Sequence, residues 1–142
     1  MQPVMTIAEL GRFLDAEFPQ IAAEFGIESL DPAGVCVRLR VSDRHLRPGG
    51  TVSGPAIFAI ADVAFYIALL SRIGPVALAV TTNCAIDFLR KPEAGRDLIG
   101  AARILRLGRS LAVGDVLVHS EGRAEPVARA GLTYAIPPGT RG

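Results

Sequence analysis

Apolar and polar positions fall into three patterns along this chain: a short stripe of helical period near the N-terminus, a long apolar run in the middle, and strand-like alternation on either side of it. Thr6-Ile7-Ala8-Glu9 has the spacing of a capping box, and Leu10, Phe13 and Leu14 recur at helical intervals. This predicts a short helix over 7–18, ended by Pro19. From Ile21 the period becomes two. Val35, Val37, Leu39 and Val41 alternate with Cys36, Arg38, Arg40 and Ser42 behind the turn Asp31-Pro32-Ala33-Gly34, which reads as a hairpin with one buried face. Residues 45–52 form a loop rich in Gly and Pro. Ser53-Gly54-Pro55 has the chemistry of a helix start and Gly74-Pro75 that of a helix end, so the central helix is predicted over 54–72. Residues 77–89, 97–107, 110–121 and 127–136 then read as strands. Their connections are too short for parallel crossovers, so strands adjacent in sequence are expected to be antiparallel neighbours. The predicted class is α+β: one long central helix wrapped by a curved antiparallel sheet of five or six strands, plus the short N-terminal helix, in one domain over 1–142.

Asp62 is the one charged residue in 54–70 (GPAIFAIADVAFYIALL). A helix that is apolar on every face is buried in a core or a membrane. A carboxylate there costs several kcal/mol unless it is paired, hydrogen-bonded or protonated. The uninterrupted run falls short of the roughly 20 residues of a membrane span, holds Asp62 at its centre and has no companion, which favours a core helix. Two readings of Asp62 stand: a carboxylate satisfied by core hydrogen bonds or a subunit contact, and a functional group, since perturbed carboxylates concentrate at active sites.

A carboxylate so placed could act as base or nucleophile toward a carbonyl carbon, given donors for the oxyanion that develops. The N-terminus of the central helix can supply them, with the Gly54 N–H as the donor that substrate approaches most closely; Pro55 has no N–H to offer. Eight residues separate Gly54 from Asp62, which at roughly 1.5 Å rise is about 12 Å along the helix axis. One carbonyl cannot meet both within a subunit. If both serve one carbonyl, the acid comes from a neighbour related by a twofold axis.

The 142 residues are half hydrophobic and one fifth charged, with a formal net charge of +1, so neither a disordered chain nor a polyelectrolyte surface is indicated and nucleic acid is not an implied partner. The opening MQPVMTIAEL lacks the plan of a secretory signal, and a cytoplasmic location is expected. Cys36 and Cys84 lack metal-ligand spacing and read as free, small buried residues; His45 and His119 lack spacing for a metal or a triad and read as loop and surface residues. No metal and no cofactor is expected.

The stretch RHLRPGGTVSGPAIFAIADVA, followed by AVTTNCAIDFLRKPEAGRDL, GRSLAV and ARAGLTYAIP, resembles the hotdog-fold acyl-CoA thioesterases of the phenylacetic acid degradation and 4-hydroxybenzoyl-CoA thioesterase type, over about residues 25–138. Gly54 and Asp62 match that family's glycine and the acid eight residues on. Arg47 stands where the family has Asn or Gln, Ser53 where it has His, and Pro55 where it has a second Gly. The resemblance implies hydrolysis of acyl-CoA, coenzyme A entering as part of the substrate, by a homodimer that can pair into a homotetramer, with two sites across the dimer interface.

On the strand after the helix, related enzymes place a hydroxyl that holds water or the acid; among Thr81, Thr82 and Asn83, Thr82 is the choice here. Arg47 is a candidate for the carbonyl or for pairing with the partner's acid, and Ser53 is chiefly a helix cap beside the substrate. Phe58 and Tyr66, one turn either side of Asp62, are candidate acyl-pocket residues. Arg90, Lys91, Arg106 and Arg109 are candidate contacts for the coenzyme A phosphates. A catalytically weak acyl-CoA-binding protein is the alternative. A hydratase or dehydratase is disfavoured, because the catalytic His of such enzymes is missing near this helix.

Overall fold

Thr6 Oγ1 accepts from the Glu9 N–H at 3.1 Å and the Glu9 carboxylate from the Thr6 N–H at 2.9 Å, so helix α1 (Ile7–Glu17) starts where its capping box sets it and buries Leu10 and Leu14. The computed structural model describes residues 2–139. Pro19 ends α1 but also opens a single further turn, α2 (Pro19–Ala22), because a proline at the first helical position suits a start as well as a stop. Extended structure therefore begins at β1 (Phe25–Asp31) rather than at Ile21. Strand β2 (Gly34–Leu39) folds back on β1 with Asp31 opposite Gly34, and Val35, Val37 and Leu39 form its buried face as their alternation requires.

Helix α3 (Gly54–Ile73) and strands β3 (Val80–Phe88), β4 (Leu98–Leu107), β5 (Leu111–Ser120) and β6 (Pro126–Ala135) follow. The six strands make one antiparallel sheet in the order β1-β2-β4-β5-β6-β3. The expected pairing of β3 with β4 does not form. Instead β3 pairs with β6, Val80 opposite Ala135 and Phe88 opposite Ala128. The connection between β3 and β4 crosses the ends of the intervening strands: the Leu89 N–H donates to Val127 O at 2.8 Å and the Glu93 N–H to Ser120 Oγ at 3.0 Å. Three strand spacings, about 14 Å, are within the reach of such a loop. A short connection excludes a parallel crossover; it does not force adjacency. As a result β3 lies at an edge of the sheet with one side unpaired.

The sheet curves around α3, which packs chiefly on β4, β2 and β5. Two glycines set how closely. A methyl at Gly100 would stand 3.1 Å from Ile60 Cγ1 and 3.2 Å from Ala64 Cβ, and one at Gly114 would stand 2.5 Å from the Phe65 ring. Ile60, Phe65, Ile67, Leu69 and Leu70 are fully buried in consequence. By length and composition α3 could cross a membrane, but the sheet buries it, so it is a core helix. At its C-terminal end the Arg72 guanidinium donates to Ser71 Oγ (2.9 Å), Asp31 O (2.8 Å) and Pro32 O (3.2 Å), tying the helix to the β1–β2 turn.

Candidate active site

The carboxylate of Asp62 lies halfway along α3 and is held on one oxygen only. Oδ1 accepts from Thr81 Oγ1 at 2.5 Å and from the Tyr134 hydroxyl at 2.8 Å; Oδ2 accepts no hydrogen bond among the described residues. Tyr134 also donates to the Asp62 carbonyl at 3.2 Å. Burial of its ring, and then the Asp62 charge, push the Tyr134 phenol well above the usual range, so it stays a proton donor to the carboxylate. The charge that the sequence suggests is buried is half-buried, with two hydroxyl partners on one oxygen. A cavity of about 350 Å³ opens beside it, lined by Phe58, Val63 and Tyr66 of α3, by Thr81 and by Tyr134.

Thr82 is not the hydroxyl at this site. The pairing of β3 with β6 is bulged between Thr81 and Asn83, so Thr81, Cys84 and Ile86 turn toward the core. Thr82 is left exposed, its hydroxyl bonded to Thr133 O at 3.2 Å. Tyr134 was missed by sequence reasoning altogether. Its one signal was a tyrosine on an inward phase of a strand, since a buried Tyr hydroxyl usually has a partner. Phe58 and Tyr66 lie on the face of Asp62 as their spacing requires; Phe58 is 39% exposed and Tyr66 is buried, its hydroxyl donating to Ala77 O at 3.0 Å. Burial, and then the Asp62 charge, push the nearby Cys84 thiol up, which disfavours the thiolate that a nucleophile needs.

Gly54 stands at the N-terminus of α3. Ser53 is the N-cap, its Oγ accepting from the Ala56 N–H at 3.3 Å, so its hydroxyl serves the helix. The Gly54 N–H meets no acceptor among the described residues. Around it opens a cavity of about 670 Å³ lined by Arg47, Phe88, Leu89, Arg90 and Lys91 among others. Arg90 Nε donates to Pro126 O at 3.2 Å, and no acidic side chain pairs with Arg47 or Lys91 among the described residues. Arg106 and Arg109 are not gathered here. Arg106 is exposed near the end of β4, and Arg109 lies in the β4–β5 turn against Ser110 and Ile136.

The two cavities share no lining residue, and they flank opposite ends of β3: Val80 and Thr81 border the one with Asp62, Phe88 the one with Gly54. His45 stabilises the loop between β2 and α3. It lies in that loop as expected but is buried rather than at the surface; the Ser42 N–H donates to its Nδ1 at 2.8 Å and its Nε2 lies 2.9 Å from Glu24 Oε2. Its carbonyl accepts from the Ser53 N–H at 2.8 Å, which fixes the chain immediately before Gly54. Glu24 lies too far away in sequence for any spacing rule to have exposed this pair. His119 is half-buried beside Ser120 O.

Residues 49–127 match the model of the Thioesterase superfamily. The acyl-coenzyme A thioesterase PaaI of Escherichia coli is 32% identical over 102 residues, which cover 70% of this chain and 71% of that one. The crystal structure of a "putative thioesterase" from Silicibacter sp. TM1040 superposes with a TM-score of 0.90 at 56% identity, covering 97% of this chain and 96% of that one. A mutant of the phenylacetic acid degradation protein PaaI from Thermus thermophilus superposes with a TM-score of 0.69 at 31% identity, over 89% of this chain and 99% of that one. With a curved sheet wrapped on one apolar helix and a carboxylate at its middle, the chain belongs to the thioesterase superfamily and has its hotdog fold.

Proposed function

We propose that this protein hydrolyses acyl-coenzyme A thioesters to free acid and coenzyme A, at a site made from Gly54 of one subunit and Asp62 of the partner subunit. The observation that carries this reading is the half-occupied carboxylate: Oδ1 tied by Thr81 and Tyr134, Oδ2 without a hydrogen bond among the described residues and beside a largely apolar cavity. Such a group costs stability and has no structural use for its second oxygen. In the reaction the Gly54 N–H, at the positive end of the α3 dipole, donates to the thioester carbonyl oxygen as it becomes an oxyanion. Oδ2 either takes a proton from water, whose hydroxide adds to the carbonyl carbon, or attacks that carbon itself to form an anhydride that water then cleaves. In both routes the C–S bond breaks and the thiolate leaves, taking a proton. Thiol release from a panel of acyl-CoA thioesters is the test, and no release from any member would overturn the proposal.

The shared site is supported by the edge strand. Antiparallel pairing of two β3 strands about a twofold axis would set the Val80 end of one beside the Phe88 end of the other, and so the Asp62 cavity of one subunit beside the Gly54 cavity of its partner. It would also cover Val80 and Phe88, which are 55% and 56% exposed. Light scattering at micromolar concentration is expected to report twice the 14.9 kDa chain mass or a multiple of it. A monomer would remove the shared site.

Arg47, Arg90 and Lys91 offer cations to the phosphates of coenzyme A at the mouth of the Gly54 cavity. The double variant Arg47→Ala/Lys91→Ala is expected to raise KM for acyl-CoA about tenfold with little change in kcat, and to leave acyl-pantetheine, which lacks the nucleotide, unaffected. Equal losses on both substrates would count against phosphate binding. The second reading, a weakly catalytic acyl-CoA-binding protein, is favoured by Pro55 and by the use of the Ser53 hydroxyl as a cap, which leave few donors around Gly54. Under that reading the panel binds without thiol release, and Arg47→Asn, which restores a short amide, raises turnover.

A further inference from the structure

We infer that Phe18, at the junction of α1 and α2, is the end wall of the acyl pocket and limits the acyl group to a short chain or a single ring. The inference rests on reading Asp62 as the reacting carboxylate. Three rings lead away from that carboxylate: Tyr134, which donates to Oδ1, lies 6.2 Å from Tyr66, and Tyr66 lies 6.1 Å from Phe18 in an edge-on contact at 84°. Tyr66 is held in place by the bond from its hydroxyl to Ala77 O. The same cavity is lined by Ala59, Ala77 and Ala79, whose side chains are single methyl groups and take up little of its volume.

Phe18 and Ile21 are the lining residues that come from outside α3, β6 and β3 with its approach. The N-terminal segment therefore adds a wall to a cavity otherwise built from the central helix and the β3–β6 side of the sheet. Tyr66 is one helical turn from Asp62, about 6 Å along the axis, which leaves space beyond the carbonyl carbon for one ring or a chain of about five carbons before the Tyr66–Phe18 pair is met. Phe18 is itself 37% exposed, so trimming it enlarges the pocket without hollowing the core.

The experiment compares kcat/KM for butanoyl-, hexanoyl- and decanoyl-CoA in the unaltered protein, Phe18→Ala and Phe18→Trp, with thermal melting of each. The unaltered protein is expected to lose at least tenfold between hexanoyl and decanoyl, and Phe18→Ala to raise the decanoyl-to-hexanoyl ratio about tenfold. Phe18→Trp is expected to penalise hexanoyl more than butanoyl. The same chains, as uncleavable S-alkyl thioethers of coenzyme A, are titrated by calorimetry. Length-dependent binding that Phe18→Ala relaxes, without thiol release from the thioesters, would sustain the wall and overturn the hydrolase. Hydrolysis with chain-length ratios unmoved in both variants would overturn the wall and sustain the hydrolase. Neither binding nor turnover would overturn both.

Discussion

Asp62→Asn is expected to lower kcat by about 10² to 10⁴ or more while leaving the fold and the assembly intact. The amide is the size of the carboxylate, and its oxygen can take the place of Oδ1 and keep both bonds, from Thr81 and from Tyr134. What changes is the group at Oδ2, where an amide N–H₂ that can neither take a proton from water nor attack a carbonyl replaces a basic oxygen. The half-buried charge is removed at the same time, so the melting temperature is expected to hold or rise, the common exchange between stability and function at such sites. The comparison is kcat on the best acyl-CoA together with thermal melting of both proteins. Unchanged turnover would overturn the catalytic assignment. Lost turnover with a collapsed melting temperature would leave a purely structural carboxylate.

Gly54→Ala separates the two requirements in the opposite sense. Within one chain an added methyl would lie 3.6 and 3.8 Å from the Phe88 ring, ordinary contact distances, and alanine is a better helix former than glycine. Stability should therefore be unchanged or slightly higher. A thioester carbonyl brought against the Gly54 N–H, however, would meet that methyl and be displaced by about 1 Å, which can cost about 10² in rate. Full activity in this variant would show that substrate does not approach the helix here, and the oxyanion donor would have to be sought elsewhere.

Asp62 and Gly54 are legible in the sequence because each breaks a local rule. A carboxylate in an all-apolar helix has no reason in packing, and a glycine at the first helical position forgoes helix propensity. Their separation is legible too, because helical rise is a property of the backbone. The partners of Asp62 are not. Tyr134 lies 72 residues away, on a strand whose alternation says that a side chain is buried but not against what. Thr82 is preferred to Thr81 from the resemblance and from the alternation of a regular strand, which does not reveal a bulge, and the bulge exists only in the pairing with β6.

The elements themselves follow from near neighbours. The capping box at Thr6, the Ser53 cap, the apolar run of α3 and the period-two face of β2 involve interactions a few residues apart, so the chain by itself determined them, along with the lone charge in α3. Tertiary structure alone decided that β3 skips to the sheet edge, that His45 is buried on Glu24, and that Phe18 reaches across to Tyr66. These are contacts between surfaces of which each is merely apolar or polar in the sequence. The hydrophobic effect is non-directional, so a pattern can report that a face is covered while the choice of cover belongs to the packed fold.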